Sequence, residues 1–389
     1  MIFRTPELRT DELDVLRLIA AQREQLHDRV ATPRRWGGSL RRMAFARAVQ
    51  GSNSIEGYNA SLDDVVAAVA GEPVLNADEE TQLALAGYRD AMTYVLQIAD
   101  DDGLGIDEGL IKSLHFMMIK HDLKKNPGQW RPGDVYVVDA GGKTVYTGPP
   151  SGEVSQLIGE MLVDLRHDES PVLVKAAMAH LNLTLIHPFS DGNGRMARCL
   201  QTLVLARDRV LAPIFSSIEE FLGRNTEAYY EVLNEVGAGS WHPDRDARPW
   251  LRFCLRAHFL QVRTMLRRRQ EIEELWNACT ALAERSGLPE RCAAGLMDAA
   301  YGLRIRRPGY QAVVETATGE EISEQTASRD LIAMADLGLL QPVGERRARH
   351  YVAGSETRNR WEEIRARRPE TETEDPFTLA REGRQQQLT

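Results

Sequence analysis

The sequence predicts a mainly helical protein with a small β-hairpin in its first half, and three features carry that prediction. Across most of the chain apolar residues recur at three- and four-residue spacing, the period of a helix with one buried face. Only residues 135–147 hold β-branched and aromatic runs on both sides of a Gly141-Gly142 turn. At 389 residues, 43% of them hydrophobic, the chain can bury a large core spread over two or three domains.

Composition narrows the functional classes. A formal net charge of −9 argues against a surface that wraps nucleic acid, although a local basic patch remains compatible with it. Cys199, Cys254, Cys279 and Cys292 stand apart, without Cys-x-x-Cys spacing or paired histidines. They predict neither a zinc site nor a disulfide framework and read as small core residues in a reducing compartment. No basic-apolar-small leader opens the sequence and no apolar run is long enough to span a bilayer, so the expected location is cytoplasmic, without membrane contact.

Taken in order, residues 11–27 pattern as an amphipathic helix whose task is packing. Arg34-Arg35-Trp36 and Arg41-Arg42 lead into an apolar stretch at 43–49, and the segment closes on Gly51-Ser52-Asn53-Ser54-Ile55-Glu56-Gly57. By local rules alone Ser52 or Asn53 would cap a short turn and Gly57 would end it. Residues 62–70 and 82–98 continue the helical pattern on either side of Gly71-Glu72-Pro73. Asp100-Asp101-Asp102 lacks the alternating ligand spacing of a calcium loop and reads as solvated. In the helix at 108–121, His115 and His121 lie six apart and do not share a face, so both are structural or exposed. Asn126-Pro127-Gly128 then turns the chain into the hairpin, whose runs are 135–138 and 143–147. A two-stranded ribbon with an open edge can pair with an incoming extended peptide.

Residues 176–186 are apolar apart from His180 and Asn182 and predict a helix buried on most sides, ending at Pro188. The next stretch, Ile186-His187-Pro188-Phe189-Ser190-Asp191-Gly192-Asn193-Gly194-Arg195-Met196-Ala197-Arg198, concentrates unusual chemistry. Gly192-Asn193-Gly194 can point successive backbone N–H groups into one concavity at the start of the helical run 196–206, a natural anion site. Arg195 and Arg198, three apart on its first turn, can each present a planar fork of donors to phosphate oxygens. Asp191 is the natural ligand for the Mg²⁺ that accompanies a polyphosphate. His187 is left as the group able to take a proton near neutral pH.

At these residues the chain resembles the Fic-domain family, whose motif His-x-Phe-x-Asp/Glu-Gly-Asn-Gly-Arg-x-x-Arg is matched at every fixed position. The resemblance implies a Fic-type helical core with a hairpin flap and transfer of AMP from ATP to a protein hydroxyl, with Mg²⁺ as cofactor. It implies His187 as general base, Phe189 as the loop's anchor and Asp191 as the metal ligand. It also implies Gly192, Asn193 and Gly194 as the phosphate cradle, with Arg195 and Arg198 holding the outer phosphates. Many members carry an inhibitory helix with Ser/Thr-x-x-x-Glu-Gly/Asn, which Ser52, Glu56 and Gly57 match; Glu56 is then the carboxylate that occupies Arg198 in place of the γ-phosphate. The 135–147 hairpin resembles the flap that holds a target segment by backbone pairing. Tyr230 and Leu233, on one face of the helical run 221–236, resemble the pair that sandwiches adenine.

Residues 248–285 pattern as one or two long helices, with Arg267-Arg268-Arg269 on a solvated face. Three shorter helical patterns, 289–301, 308–316 and 323–337, precede a basic hairpin, and together they resemble a winged helix-turn-helix. That likeness would place Gln325, Thr326, Ser328 and Arg329 on a recognition helix and Arg346, Arg347 and Arg349 on the wing, with DNA or another protein as partner. The tail from Arg368, rich in Thr, Glu and Gln, reads as disordered. The expected domains are 1–100, a helical region with the inhibitory motif; 101–285, the catalytic core and trailing helices; 286–355, the winged-helix module; and 356–389, a helical or disordered tail. The sequence leaves monomer and homodimer both open. It also leaves two rivals to an autoinhibited adenylyltransferase that modifies a target and itself. One is a related enzyme that uses another nucleotide donor or removes AMP; the other is a nucleotide-sensing DNA-binding regulator.

Overall fold

In the computed structural model, which describes residues 1–101, 103–138, 141–207, 209–345, 349–368 and 374–387, the chain is mostly helical with two small antiparallel hairpins. The N-terminal region supplies α1 (Thr10–Ala31), α2 (Gly37–Ile55), α3 (Leu62–Val69) and α4 (Glu79–Gln97). After α5 (Glu108–Ile119) come β1 (Tyr136–Val138) and β2 (Thr144–Thr147), then α6 (Val154–His167), α7 (Val172–Ile186) and α8 (Asn193–Ala206). The short α9 (Pro213–Ser216) and α10 (Glu219–Arg224) lead to α11 (Thr226–Gly237) and the long α12 (Arg248–Arg285). The remainder is α13 (Cys292–Ala300), α14 (Arg307–Thr318), α15 (Glu324–Asp336), β3 (Leu340–Val343), β4 (His350–Ala353), α16 (Ser355–Ala366) and α17 (Pro376–Gln387).

Helix starts follow capping chemistry. Ser61, Asp78, Asp107 and Ser323 each accept the N–H three residues on, at 3.1, 2.7, 2.7 and 3.1 Å, satisfying a donor the first turn leaves open. The expected cap at Ser52 or Asn53 does not form, because α2 runs through both residues to Ile55. Burial of its apolar face outweighs the local turn preference of two polar residues, and Gly57, at φ 88°, lies just past the helix end as the sequence predicts.

Two hydrophobic cores organise the chain. The first is built from α1, α4, α5, α7 and α8, with Phe189 of the motif inside it. The second gathers the far half of α12 with α13 to α16 around Trp276, Tyr310 and Trp361. α12 is a single helix of 38 residues, about 57 Å long, that enters both: Trp250 and Leu251 sit in the first and Ile272 and Trp276 in the second. α2 also spans them, with Leu40 and Ala44 in the second core and Phe45, Val49 and Ile55 in the first.

The arginine run on α12 is not a solvated face. Arg268 is paired with Glu220 through both nitrogens at 2.5 and 2.6 Å, and Arg269 reaches Glu273 at 2.8 Å. Burial opposes the charge on Glu220, but Arg268 outweighs it and holds the carboxyl down at about 2. The tail is also corrected: α17 packs Phe377 and Ala380 into the first core, with Arg252 3.7 Å over the Phe377 ring. A few apolar anchors within a polar tail are enough once a surface exists to receive them. Three helices and a hairpin lie where the sequence places them near the C-terminus. Arg349 is exposed there, while Arg346 and Arg347 lie outside the described residues.

Among the described residues no helix is long and apolar enough to cross a membrane. All four cysteines are buried and unpaired.

Candidate active site

Helices α7 and α8 form a packed pair, and the loop between them carries the motif. α7 ends at His187, whose φ of 53° places it in the left-handed region and turns the chain out of the helix ahead of Pro188. Histidine tolerates this conformation better than branched residues do. Its Nδ1 lies 3.2 Å from the Thr184 carbonyl, so that nitrogen carries the donated proton and Nε2 keeps a free lone pair. Burial pushes the imidazole below its usual value, so it is neutral at pH 7.

Gly192, at φ 76°, caps α8, and a side chain there would strike Ile119. The helix starts at Asn193, three residues earlier than its apolar pattern, so Gly194 is needed for close approach and not for a positive φ. A Cβ on Gly194 would overlap the Glu56 carboxylate and lie 3.0 Å from Arg198 Nη1. Asn193 departs from the cradle role, because its side chain accepts from the Phe189 N–H at 2.8 Å and donates to the Phe189 carbonyl at 2.9 Å. It braces the loop, so within Gly192-Asn193-Gly194 only backbone N–H groups are left for an anion.

Both arginines are 1% exposed. Arg198 donates from Nε to Ser52 Oγ at 2.8 Å and from Nη2 to the Ser52 carbonyl at 2.9 Å and Glu56 Oε1 at 2.5 Å. Glu56 therefore engages one nitrogen and not the whole fork, and Nη1 has no hydrogen-bond partner among the described residues. Burial opposes the charge on Arg198, but Glu56 outweighs it and raises the guanidinium further. Arg195 leaves Nε and Nη1 unpartnered, with the Tyr58 ring 5.1 Å away. Two buried guanidiniums with open donors at a helix N-terminus form a cradle for oxyanions. The segment 56–58 fills it, with Glu56 over Gly194 and Tyr58 over Arg195.

Asp191 accepts from its neighbour Gly192 N–H on Oδ1 at 2.6 Å and from Lys125 Nζ on Oδ2 at 2.7 Å. Burial opposes its ionisation, but Lys125 and then Arg195 outweigh it and pull the carboxyl below the usual range. No group of three or more His, Cys, Asp or Glu that could hold a metal occurs among the described residues. A lone carboxylate beside a phosphate cradle suits Mg²⁺, which keeps waters and substrate phosphates as most of its ligands, and does not suit an all-protein zinc or calcium cage.

The two adenine candidates separate. Tyr230 is 44% exposed and its hydroxyl donates to the Ile55 carbonyl at 3.3 Å, whereas Leu233 is 7% exposed and belongs to the first core. Residues three apart on a helix diverge by about 60°, enough for one to face the cleft and the other the interior.

Local sequence reasoning missed the supports. His115 accepts the Gly128 N–H on Nδ1 at 2.9 Å, so its Nε2–H donates to the Asp191 carbonyl at 2.8 Å. Its ring stacks on Phe189 at 3.6 Å, and burial drives it down to about 4, so it stays neutral. Arg131 donates from Nε to the His187 carbonyl at 2.9 Å and from Nη2 to the Pro149 carbonyl at 2.5 Å, tying the base of the hairpin to the motif. In that hairpin Tyr136 faces Thr147 and Val137 faces Tyr146, and Thr147 donates to the Gly239 carbonyl at 3.0 Å. The covered side is thus β2, and β1 presents Tyr136 and Val138 to solvent.

Residues 105–205 match the sequence profile described as the Fic/DOC family. They form a Fic domain. Outside the profile, similarity extends to a protein adenylyltransferase Fic of Nematostella vectensis, 29% identical over 225 residues, which are 55% of this chain and 47% of that protein. A protein adenylyltransferase fic-1 of Caenorhabditis elegans is 35% identical over 96 residues, 24% of this chain and 16% of that one. The chain thus spans no more than about half the length of these relatives. Among solved structures, a Fic family protein from Desulfovibrio desulfuricans G20 superposes with a TM-score of 0.56 at 22% identity, covering 90% of this chain and 98% of that one. Fic-1 of C. elegans (aa134–508) gives 0.53 at 22% identity over 66% and 72%. These likenesses establish the fold. Glu56 lies outside the Fic domain profile, on α2's C-cap, and reaches it only through packing.

A Cβ on Gly51 would overlap the Glu219 carbonyl and stand 2.8 Å from Glu220 Cα, and Gly223 on α10 meets Gly51 just as closely. Gly51→Ala is expected to lower stability by about 1–3 kcal/mol, the usual cost of overpacking, and to lift α2 away from Arg198. Calorimetric melting should show the loss, and ATP titration should show tighter binding than wild type; unchanged binding would mean that α2 does not close the cradle.

Proposed function

We propose that the chain is a protein adenylyltransferase, transferring AMP from ATP to a Ser, Thr or Tyr hydroxyl of a target protein and of itself, and held in check by Glu56. The observation that carries this reading is the Glu56–Arg198 ion pair seated over Gly194, at the N-terminus that would receive the phosphates. In the active arrangement His187 Nε2 takes the hydroxyl proton as the oxygen bonds to the α-phosphorus. The bond from that phosphorus to the bridging oxygen breaks, and pyrophosphate leaves against Arg195 and Arg198. Asp191 would hold the Mg²⁺ that neutralises the leaving phosphates. The exposed edge of β1 supports docking of an extended target segment along residues 135–147.

The test is incubation of purified protein with Mg²⁺ and ATP labelled on either the α- or the γ-phosphate. Label retained only from the α position, with a mass increment of one AMP on the chain, is the expected result. Transfer of the γ label or of a moiety from another nucleotide would replace this reading with a different donor chemistry. No product, together with salt-sensitive duplex binding, would favour a DNA-binding regulator.

A further inference from the structure

One charged side chain faces the cradle without a role so far: Lys125. It ends the 3-10 turn Leu123–Lys125, which Asp122 caps by accepting the Lys124 N–H at 3.1 Å, and Asn126 at φ 50° reverses the chain immediately after it. The lysine is therefore delivered from a fixed backbone. Its Nζ meets Asp191 Oδ2 at 2.7 Å, while Asp122 Oδ2 lies further off at 4.0 Å. The Gly192 N–H occupies Oδ1, so Oδ2 is the oxygen nearer to hand for a metal; Lys125 stands on it, and Arg195 Nη2 lies 3.9 Å away.

We propose that Lys125 is a second cation of the nucleotide site, holding Asp191 until a divalent ion takes that carboxylate and then turning to the phosphates. This rests on the nucleotide reading above. A divalent ion bound on the oxygen that the ammonium holds at 2.7 Å repels that ammonium strongly, so the lysine is displaced as the metal arrives. Its four-carbon stem and 31% side-chain exposure let it move, unlike Arg195 and Arg198, which are locked at 1%. What remains within reach is the anion that the metal accompanies. Before that exchange the lysine cancels the Asp191 charge, which would otherwise repel an incoming polyphosphate from the same cradle.

The experiment compares wild type, Lys125→Met and Lys125→Arg. Mn²⁺ affinity is read without nucleotide by the electron paramagnetic resonance of the free ion. ATP affinity is read by calorimetry in EDTA and in Mg²⁺, each also in a Glu56→Gly background. Lys125→Met should bind Mn²⁺ about three- to fivefold more tightly, the worth of a half-exposed ion pair removed from competition. The same variant should lose ATP affinity by about tenfold in Mg²⁺, where the metal has released the lysine to the phosphates, with a smaller loss in EDTA, and Lys125→Arg should stay near wild type in both. Equal or weaker Mn²⁺ binding by Lys125→Met alongside normal ATP binding overturns the lysine's role alone. ATP that binds none of the proteins removes the nucleotide reading, and the phosphate half of this proposal with it.

Discussion

Glu56→Gly is expected to raise AMP transfer, including self-labelling, by on the order of ten- to a hundredfold, because a carboxylate held in the cradle by a charge-assisted hydrogen bond worth about 1.5–3 kcal/mol no longer has to be displaced. The structure refines the physical reason. Arg198 Nη1 is already without a partner, and Ser52 keeps Nε and shares Nη2, so the substitution frees little of the fork itself. What it clears is the volume above Gly194, where the carboxylate now sits at the start of α8. A phosphate entering that volume gains the backbone N–H groups and the open nitrogens of both arginines together. An ordinary surface glutamate would give the opposite result, slight destabilisation with flat activity. Wild type and Glu56→Gly compared in one labelling assay decide the matter, and equal rates would mean that Glu56 is not the inhibitor.

His187→Ala is expected to reduce transfer by about 10²–10⁴-fold, the usual share of a general base, while ATP affinity stays near wild type. Among the described residues the imidazole's hydrogen bond goes to the Thr184 carbonyl and not to Arg195 or Arg198. Alanine in the left-handed conformation costs about 1 kcal/mol or more, so His187→Asn, which tolerates that backbone and carries no base, guards against a folding artefact. Glu56→Gly/His187→Ala should be as silent as the single His187 variant, since clearing the cradle cannot replace the proton acceptor. The pH profile has a definite sign. A general base works when neutral and burial holds the His187 pKa below the ordinary 6.5, so in the proposed role activity should already be on its plateau at neutral pH and fall only at lower pH. A profile that rises through pH 7 to 8, or a His187→Ala rate equal to wild type, would remove the role assigned to it.

Where the candidate residues lie close along the chain, the sequence alone brought them together. From His187 to Arg198 base, carboxylate, glycines and arginines are within twelve residues of one another, and a helix end, a turn and a helix start allow few arrangements of such a stretch. The mainly helical class and the hairpin followed from periodicity for the same reason, because each element's apolar spacing is a property of its own residues. Tertiary structure decided which faces met. Glu56 reaches Arg198 across 142 positions, a pairing legible beforehand only through a resemblance, and His115 reaches the Asp191 carbonyl across 76. No local pattern announces that Arg268 will be sealed against Glu220, that Leu233 will face inward while Tyr230 faces the cleft, or that a polar tail will fold against α1. Periodicity identifies the face a helix will bury; the partner for that face is set by the packing of the whole chain, and so the amine of Lys125 comes to rest on the carboxylate of Asp191 only when α5, α8 and the turn between α5 and the hairpin are assembled.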